Sequence, residues 1–342
     1  PYTFYWAVCA LRLSGKVDEA DRLCERALSI HTDNKLMIKA GVENDLARGS
    51  FDRALRRTQT GLAPGQNVRL GALAGDILLL KADFAGAGRH YQALGPDTRL
   101  VQARLARLAL AEGKYGRAAE LAGRAQDHLL LAHIEAGNSR AKEGLEAAGL
   151  ALGEAERSGH LLRQLEALQV KGLIETLQGD LPAATATLSR LRDLKSEGVL
   201  RTWERHLRFL EGLVESLSGR PGQASQDLEA AVELLPGESE ELGFDDHALY
   251  LYIAAREREK AGNAEAATGL YRRLLGLQAG RLRHPDFYAL SHFALGRISE
   301  ARNDATGARQ NYERFLDLWK NADAGLPEVE EARTRLAALS KR

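Results

Sequence analysis

The sequence predicts an all-α fold, a solenoid of antiparallel helix pairs, on three observations. Ala, Leu, Arg and Glu are abundant in the 342 residues and favour helix, while runs of β-branched residues are almost absent. Apolar residues recur at helical spacing: Leu161, Leu162, Leu165, Leu168, Gly172, Leu173 and Leu177 share one side. Trp203, Leu207, Leu210, Val214 and Leu217 repeat the pattern. Finally, a turn-forming residue returns at a nearly fixed period, each time followed five positions later by Ala.

Taken in chain order, the turn and Ala pairs are Gly15/Ala20, Gly49/Ala54, Ala82/Ala87, Gly113/Ala118, Gly179/Ala184, Gly219/Ala224, Gly262/Ala267 and Asn303/Ala308. Gly or Asn can end a helix in the left-handed conformation. The Ala then lets the second helix approach the first. Twelve residues before that Ala another small residue often stands, as at Gly75, Gly172, Gly212, Ala255 and Gly296. The spacing between turns is 34, 33 and 31 residues in the first third and 40, 43 and 41 in the last part. Between Gly113 and Gly179 lie 66 residues, room for one irregular hairpin that turns at Gly137-Asn138 and runs on toward Ser158-Gly159.

Prolines fall at the joints. Pro64, Pro96 and Pro236 follow apolar-periodic segments, Pro182, Pro285 and Pro327 open them, and Pro221 sits in a turn. The expected organisation is a single solenoid over 1–342. Short repeats fill 1–119, an irregular hairpin 120–164, longer repeats 165–325 and a capping helix 326–342. The last helix covers the open end with Val329, Ala332, Leu336 and Leu339 and keeps Glu330, Glu331, Arg333, Thr334 and Arg335 wet.

The segments Gly15-Lys16-Val17-Asp18-Glu19-Ala20, Gly49-Ser50-Phe51-Asp52-Arg53-Ala54 and Gly113-Lys114-Tyr115-Gly116-Arg117-Ala118 resemble tetratricopeptide repeats. The last repeat, with Tyr288, Leu295, Gly296, Ala308, Tyr312 and Phe315, resembles them most. Val8 and Arg107 stand where that family usually has a small residue. The resemblance implies about nine repeats in a right-handed superhelix whose first helices line a concave groove. It also implies that places 2, 5, 9 and 12 of each repeat face the groove. Those places give Tyr2, Tyr5, Cys9, Arg12, Lys39, Glu43, Arg69, Asp76, Arg104, Glu166, Gln169, His206, Phe209, Tyr252, Arg256, Phe293 and Arg297 as partner-binding candidates. Chaperone-binding members hold a carboxylate with Lys and Asn where this chain has Tyr5 and Cys9, so a chaperone adaptor is not expected.

Composition bounds the function. Lys+Arg and Asp+Glu both number 47, so no cationic surplus drives bulk polyanion binding. Apolar runs such as Ile77–Leu80 are far too short to cross a membrane. Two Cys make no disulfide framework, which suits a reducing, cytoplasmic setting; an upstream export signal would make it periplasmic. Cys9 and Cys24 are expected to pack. His128 and His133, five apart, do not share a helix face for zinc. The acidic residues Glu238, Glu240, Glu241, Asp245 and Asp246 read as a solvated loop, with a docking site for a basic partner as the alternative, and Arg281, Arg283 and His284 as a small basic knot.

No catalytic constellation, cofactor motif or metal motif emerges. The expected function is a scaffold that binds a protein or peptide partner in the groove, without direct nucleic-acid contact or membrane insertion. Oligomeric state stays open. The chain begins at Pro1 and its only Met is Met37. The stretch Tyr312–Asp323, then Leu326–Val329, resembles the C-terminal repeats of multidomain bacterial regulators. The alternative expectation is therefore the regulatory region of such a protein, with a kinase, cyclase or DNA-binding domain upstream.

Overall fold

The computed structural model describes residues 2–32, 34–60, 68–95, 98–238 and 246–340, apart from the side chains of Thr60 and Arg69. Pro64, Pro96, Glu240, Glu241, Asp245 and the Arg69 side chain thus lie outside the described residues. Within them the chain is an all-helical repeat protein, about 80% helix with no strand.

Nine successive helix pairs run α1 (Tyr2–Leu13) with α2 (Val17–Ile30), α3 (Lys35–Ala47) with α4 (Phe51–Thr60), and α5 (Val68–Leu80) with α6 (Phe84–Ala93). Next come α7 (Arg99–Ala111) with α8 (Tyr115–Ala125), α9 (His128–Gly137) with α10 (Ala141–Arg157), and α11 (Leu161–Leu177) with α12 (Leu181–Asp193). The last three are α13 (Leu200–Leu217) with α14 (Pro221–Glu233), α15 (His247–Lys260) with α16 (Ala264–Leu275), and α17 (Asp286–Ala301) with α18 (Ala305–Leu318). Helix α19 (Pro327–Leu339) follows.

The turn inside each pair is a local device. Gly15, Gly49, Ala82, Gly113, Gly179, Gly219, Gly262 and Asn303 all have positive φ, as the sequence predicts, and Ser139 does so at the remaining pair. That turn falls just past the expected Gly137-Asn138. At Ala82, φ is 59° although Ala carries a Cβ. The strained residue is followed by Asp83, whose carboxylate accepts from Gly86 N at 2.8 Å and starts the next helix. Asp180, Asn263 and Asp304 cap α12, α16 and α18 in the same way.

The Ala that follows each turn is buried in all eight predicted cases, and Gly144 takes that place in α10. Close approach is literal: a Cβ on Gly296 would stand 2.6 Å from Cε1 of the fully buried Tyr312. Twelve residues before Ala118 stands buried Ala106, so pair four keeps its small residue there and Arg107 lies one step round the helix.

Successive pairs also touch through their first helices: α1 with α3, α3 with α5, α5 with α7, α9 with α11, α11 with α13 and α15 with α17. The odd-numbered helices therefore line the inner face. The longer period of the last pairs arises from longer helices, such as the 18-residue α13, and from long connections. The connection Gly276–Pro285, with a 3-10 turn at Ala279–Arg281, folds inward and packs on α3 and α15. Ala279 and Leu282 join a core with Val42, Leu46, Leu70 and Ile77.

The solenoid also closes on itself, because α17 packs against α7. Asp323 N donates to Gly113 O at 3.1 Å, and Gly116 N donates to Asp323 Oδ2 at 2.9 Å. Trp319, 1% exposed, meets the ring of Tyr115 edge-on at 6.0 Å. Beyond it α19 buries Val329, Ala332 and Leu339 and presents a polar outer face.

Candidate functional site: a charged cleft on the inner face

Because a charge removed from water needs a partner, the inner-face positions fold into small polar groups. In the first pairs, Arg12 Nη2 is 2.8 Å from Glu43 Oε2 and its Nη1 donates to Asn44 Oδ1 at 2.9 Å. Lys39 Nζ is 2.7 Å from Glu43 Oε1 and donates to the Tyr5 hydroxyl at 3.2 Å. Tyr5, Arg12 and Glu43 are buried, and Tyr2 is exposed. Farther along, Arg104 Nε lies 3.0 Å from Asp76 Oδ1, which accepts from the Tyr91 hydroxyl at 2.6 Å.

His206 Nδ1 and the Tyr250 hydroxyl both point at Gln169 Oε1, the latter at 2.5 Å. Phe209 packs beside them with its ring 4.6 Å from that of Tyr250. Burial pushes the His206 imidazole down to about 3, so it is neutral. Toward the C-terminus Tyr252 stacks on Phe287 at 4.3 Å. Arg297 lies over the buried Phe293 ring at 5.7 Å and 3.1 Å from Glu259, and both Arg256 and Arg297 are exposed. Most of the expected groove residues thus contact one another rather than solvent.

A polar cleft opens where α7, α9 and α11 meet the start of α15 and the connection Gly276–Pro285. Arg107, Asp127, Arg163, Glu166, Gln169, Asp246, Arg283 and His284 surround a cleft of about 560 Å³, mouth included. Arg283 is 3.1 Å from Glu166 Oε1 and 3.3 Å from Asp246 Oδ1. His284 Nε2 lies 2.9 Å from the same Asp246 oxygen. Burial alone would raise the Asp246 carboxyl, but Arg283 and His284 hold it well below the usual carboxylate range. Burial, helped by His133, lowers His284 to about 4.

Arg107 is incompletely paired. Its Nε has no hydrogen-bond acceptor among the described residues, and Asp127 Oδ2 is 3.8 Å away.

Several of these residues escape sequence reasoning. His133 is 5% exposed, its ring centre 4.3 Å from that of His284 and its Nε2 3.5 Å from Asp286. Glu238 is not in a solvated loop, because its Oε2 accepts from Gln278 N and Gly280 N, both at 2.7 Å. The basic knot Arg281-Arg283-His284 lies inside. The only signal in the sequence was the long period of the last repeats. Cys9 and Cys24 are buried and form no disulfide, and burial pushes the Cys24 thiol up to about 12. Among the described residues no cluster of three or more His, Cys, Asp or Glu could hold a metal ion. No described helix is long and apolar enough to cross a membrane.

No family model and no curated protein matches the sequence. Among solved structures the chain is similar to the APC/C hetero-tetramer Cut9–Hcn1, at 13% identity over 94% of this chain, with TM-score 0.45. It spans only 59% of that chain. It is similar to a human IFIT1 dimer with m7Gppp-AAAA at 16% identity, covering 97% of this chain and 79% of that one, TM-score 0.48. A tetratricopeptide repeat protein from Parabacteroides merdae ATCC 43184 is 11% identical over 99% of this chain and 98% of its own, TM-score 0.36. The helical repeat architecture rests on the nine pairs themselves.

Proposed function

We propose that the chain is a non-catalytic scaffold that captures a segment of a partner protein along its inner face. The observation that carries this reading is the cleft around Arg107, a mixed-charge opening with an arginine whose donors are not used up. Arginine in a partly desolvated cleft anchors partner carboxylates and carbonyls well, because one planar group offers several donors. Arg256 and Arg297, with Tyr252 and Phe293 behind them, extend the surface along the last two pairs. The residues of the cleft are salt-bridged to one another, which suits recognition by exchange of ion pairs rather than proton transfer to a substrate.

The test is binding to an array of tiled peptides by wild type, by Arg107→Ala, and by Arg256→Glu combined with Arg297→Glu. Loss of peptide binding with unchanged helical circular dichroism supports the reading. Unchanged binding by both variants rejects it, as does binding of a single-stranded oligonucleotide in the absence of any peptide binding.

A further inference from the structure

The inner face is occupied along part of its length by the chain's own connection Gly276–Pro285. Its contacts are those a bound peptide makes. Arg281 donates through Nη2 to the Leu80 backbone oxygen at the end of α5, and its guanidinium lies 4.3 Å from the Tyr288 ring centre. Arg283 sits between Glu166 and Asp246, and His284 pairs with Asp246. Two backbone amides of the segment end on the Glu238 carboxylate. Leu282 supplies an apolar anchor. None of these partners lies in α16, the helix that leads into the connection.

We propose that this connection is a built-in occupant of the partner site, and that the partner segment is a basic, extended one that takes its place with arginines on Glu166 and Asp246. The charge complementarity is specific. The segment itself carries Arg281, Arg283 and His284 and no acid, while its receptor offers the carboxylates of Glu166, Asp246 and Glu238 and a carbonyl end. A tethered segment acts at high effective concentration, so an untethered copy competes poorly until the tethered one is weakened. This inference rests on the scaffold reading above and deepens it.

The probe is a fluorescein-labelled peptide of residues 276–286, with a control peptide carrying Glu at both arginine positions. Binding is read by anisotropy on wild type and on Arg281→Ala combined with Arg283→Ala, which leaves Leu282 and Ala279 in the core. The double variant binds the peptide at least about tenfold more tightly than wild type does, and Glu166→Lys in that background abolishes the gain. The control peptide binds neither. A helical double variant that binds no better than wild type overturns the proposal.

If the variant loses its helical signal, hydrogen exchange on the wild-type chain decides. Amides of 277–284 must exchange faster than those of α5 and α11, since an occupant that leaves only on global unfolding cannot be displaced. Loss of peptide capture in the Arg256→Glu, Arg297→Glu variant together with a segment that never opens overturns this inference alone and leaves the scaffold reading standing.

Discussion

Arg283 and Glu166, 117 positions apart, form an ion pair of 3.1 Å on the inner face. Glu166 belongs to the sixth helix pair and Arg283 to the connection before the ninth, so this contact skips the seventh and eighth. The Glu166 side chain is 2% exposed and that of Arg283 15%. Removing Glu166 leaves Arg283 to share the Asp246 carboxylate with His284 in a site with little solvent. Glu166→Ala is expected to cost about 3 kcal/mol in urea unfolding, and Glu166→Leu with Arg283→Leu together clearly less. A double variant as unstable as the single one would show that shape rather than charge holds the contact.

Acid destabilises the protein through its histidines. His284 and His206 sit at about 4 and about 3 in the folded chain, both lowered by burial, against roughly 6.5 when unfolded. The unfolded chain therefore binds protons first as pH falls. The stabilisation is complete above about pH 6.5 and is lost progressively down to about pH 4 for His284 and about pH 3 for His206. His284 faces His133, Asp246 and Arg283, and protonating it beside another imidazole adds repulsion. Thermal midpoints measured from pH 7 to 4 should fall more steeply for wild type than for His206→Gln. Equal slopes would remove His206 from this account.

Gly296→Ala should destabilise the ninth pair by roughly 1–3 kcal/mol, because the added methyl meets the Tyr312 ring at 2.6 Å. Tyr312→Leu makes room, so the double variant should recover part of the loss. Denaturant midpoints for the two single variants and the double variant measure the coupling. Strict additivity would contradict the close approach.

Neither thiol should react with a disulfide reagent in native buffer at pH 8, and both should react at once in denaturant. Cys24 is fully buried, its thiol pushed up to about 12, and it donates to Met37 O at 3.2 Å. Rapid native labelling of either cysteine would mean that the first pair opens readily.

The parts of the fold that depend on near neighbours were legible. A positive-φ turn followed by a buried Ala needs only a few residues to specify, and eight such turns stand where the sequence puts them. In pair four the small residue is Ala106 and not the next position, so Arg107 takes the place that the repeat pattern directs toward the inner face. The inward connection was not legible. Arg281, Arg283 and His284 look alike on a surface and in an interior, and their partners Leu80, Glu166 and His133 are far along the chain. Helical periodicity carries no information about contacts at that range.

The two hydrogen bonds of Asp323 to Gly113 and Gly116 alter how the protein should come apart. A stack held only by adjacent units frays from its ends, one unit at a time, like a zipper. Here the ninth pair is fastened to the fourth, so the last units cannot peel away while the middle stays folded. Residues 113 to 323 should melt together, in a sharper transition than their number of units suggests. They should also form late in folding, since that clasp closes only after about two hundred residues are in place.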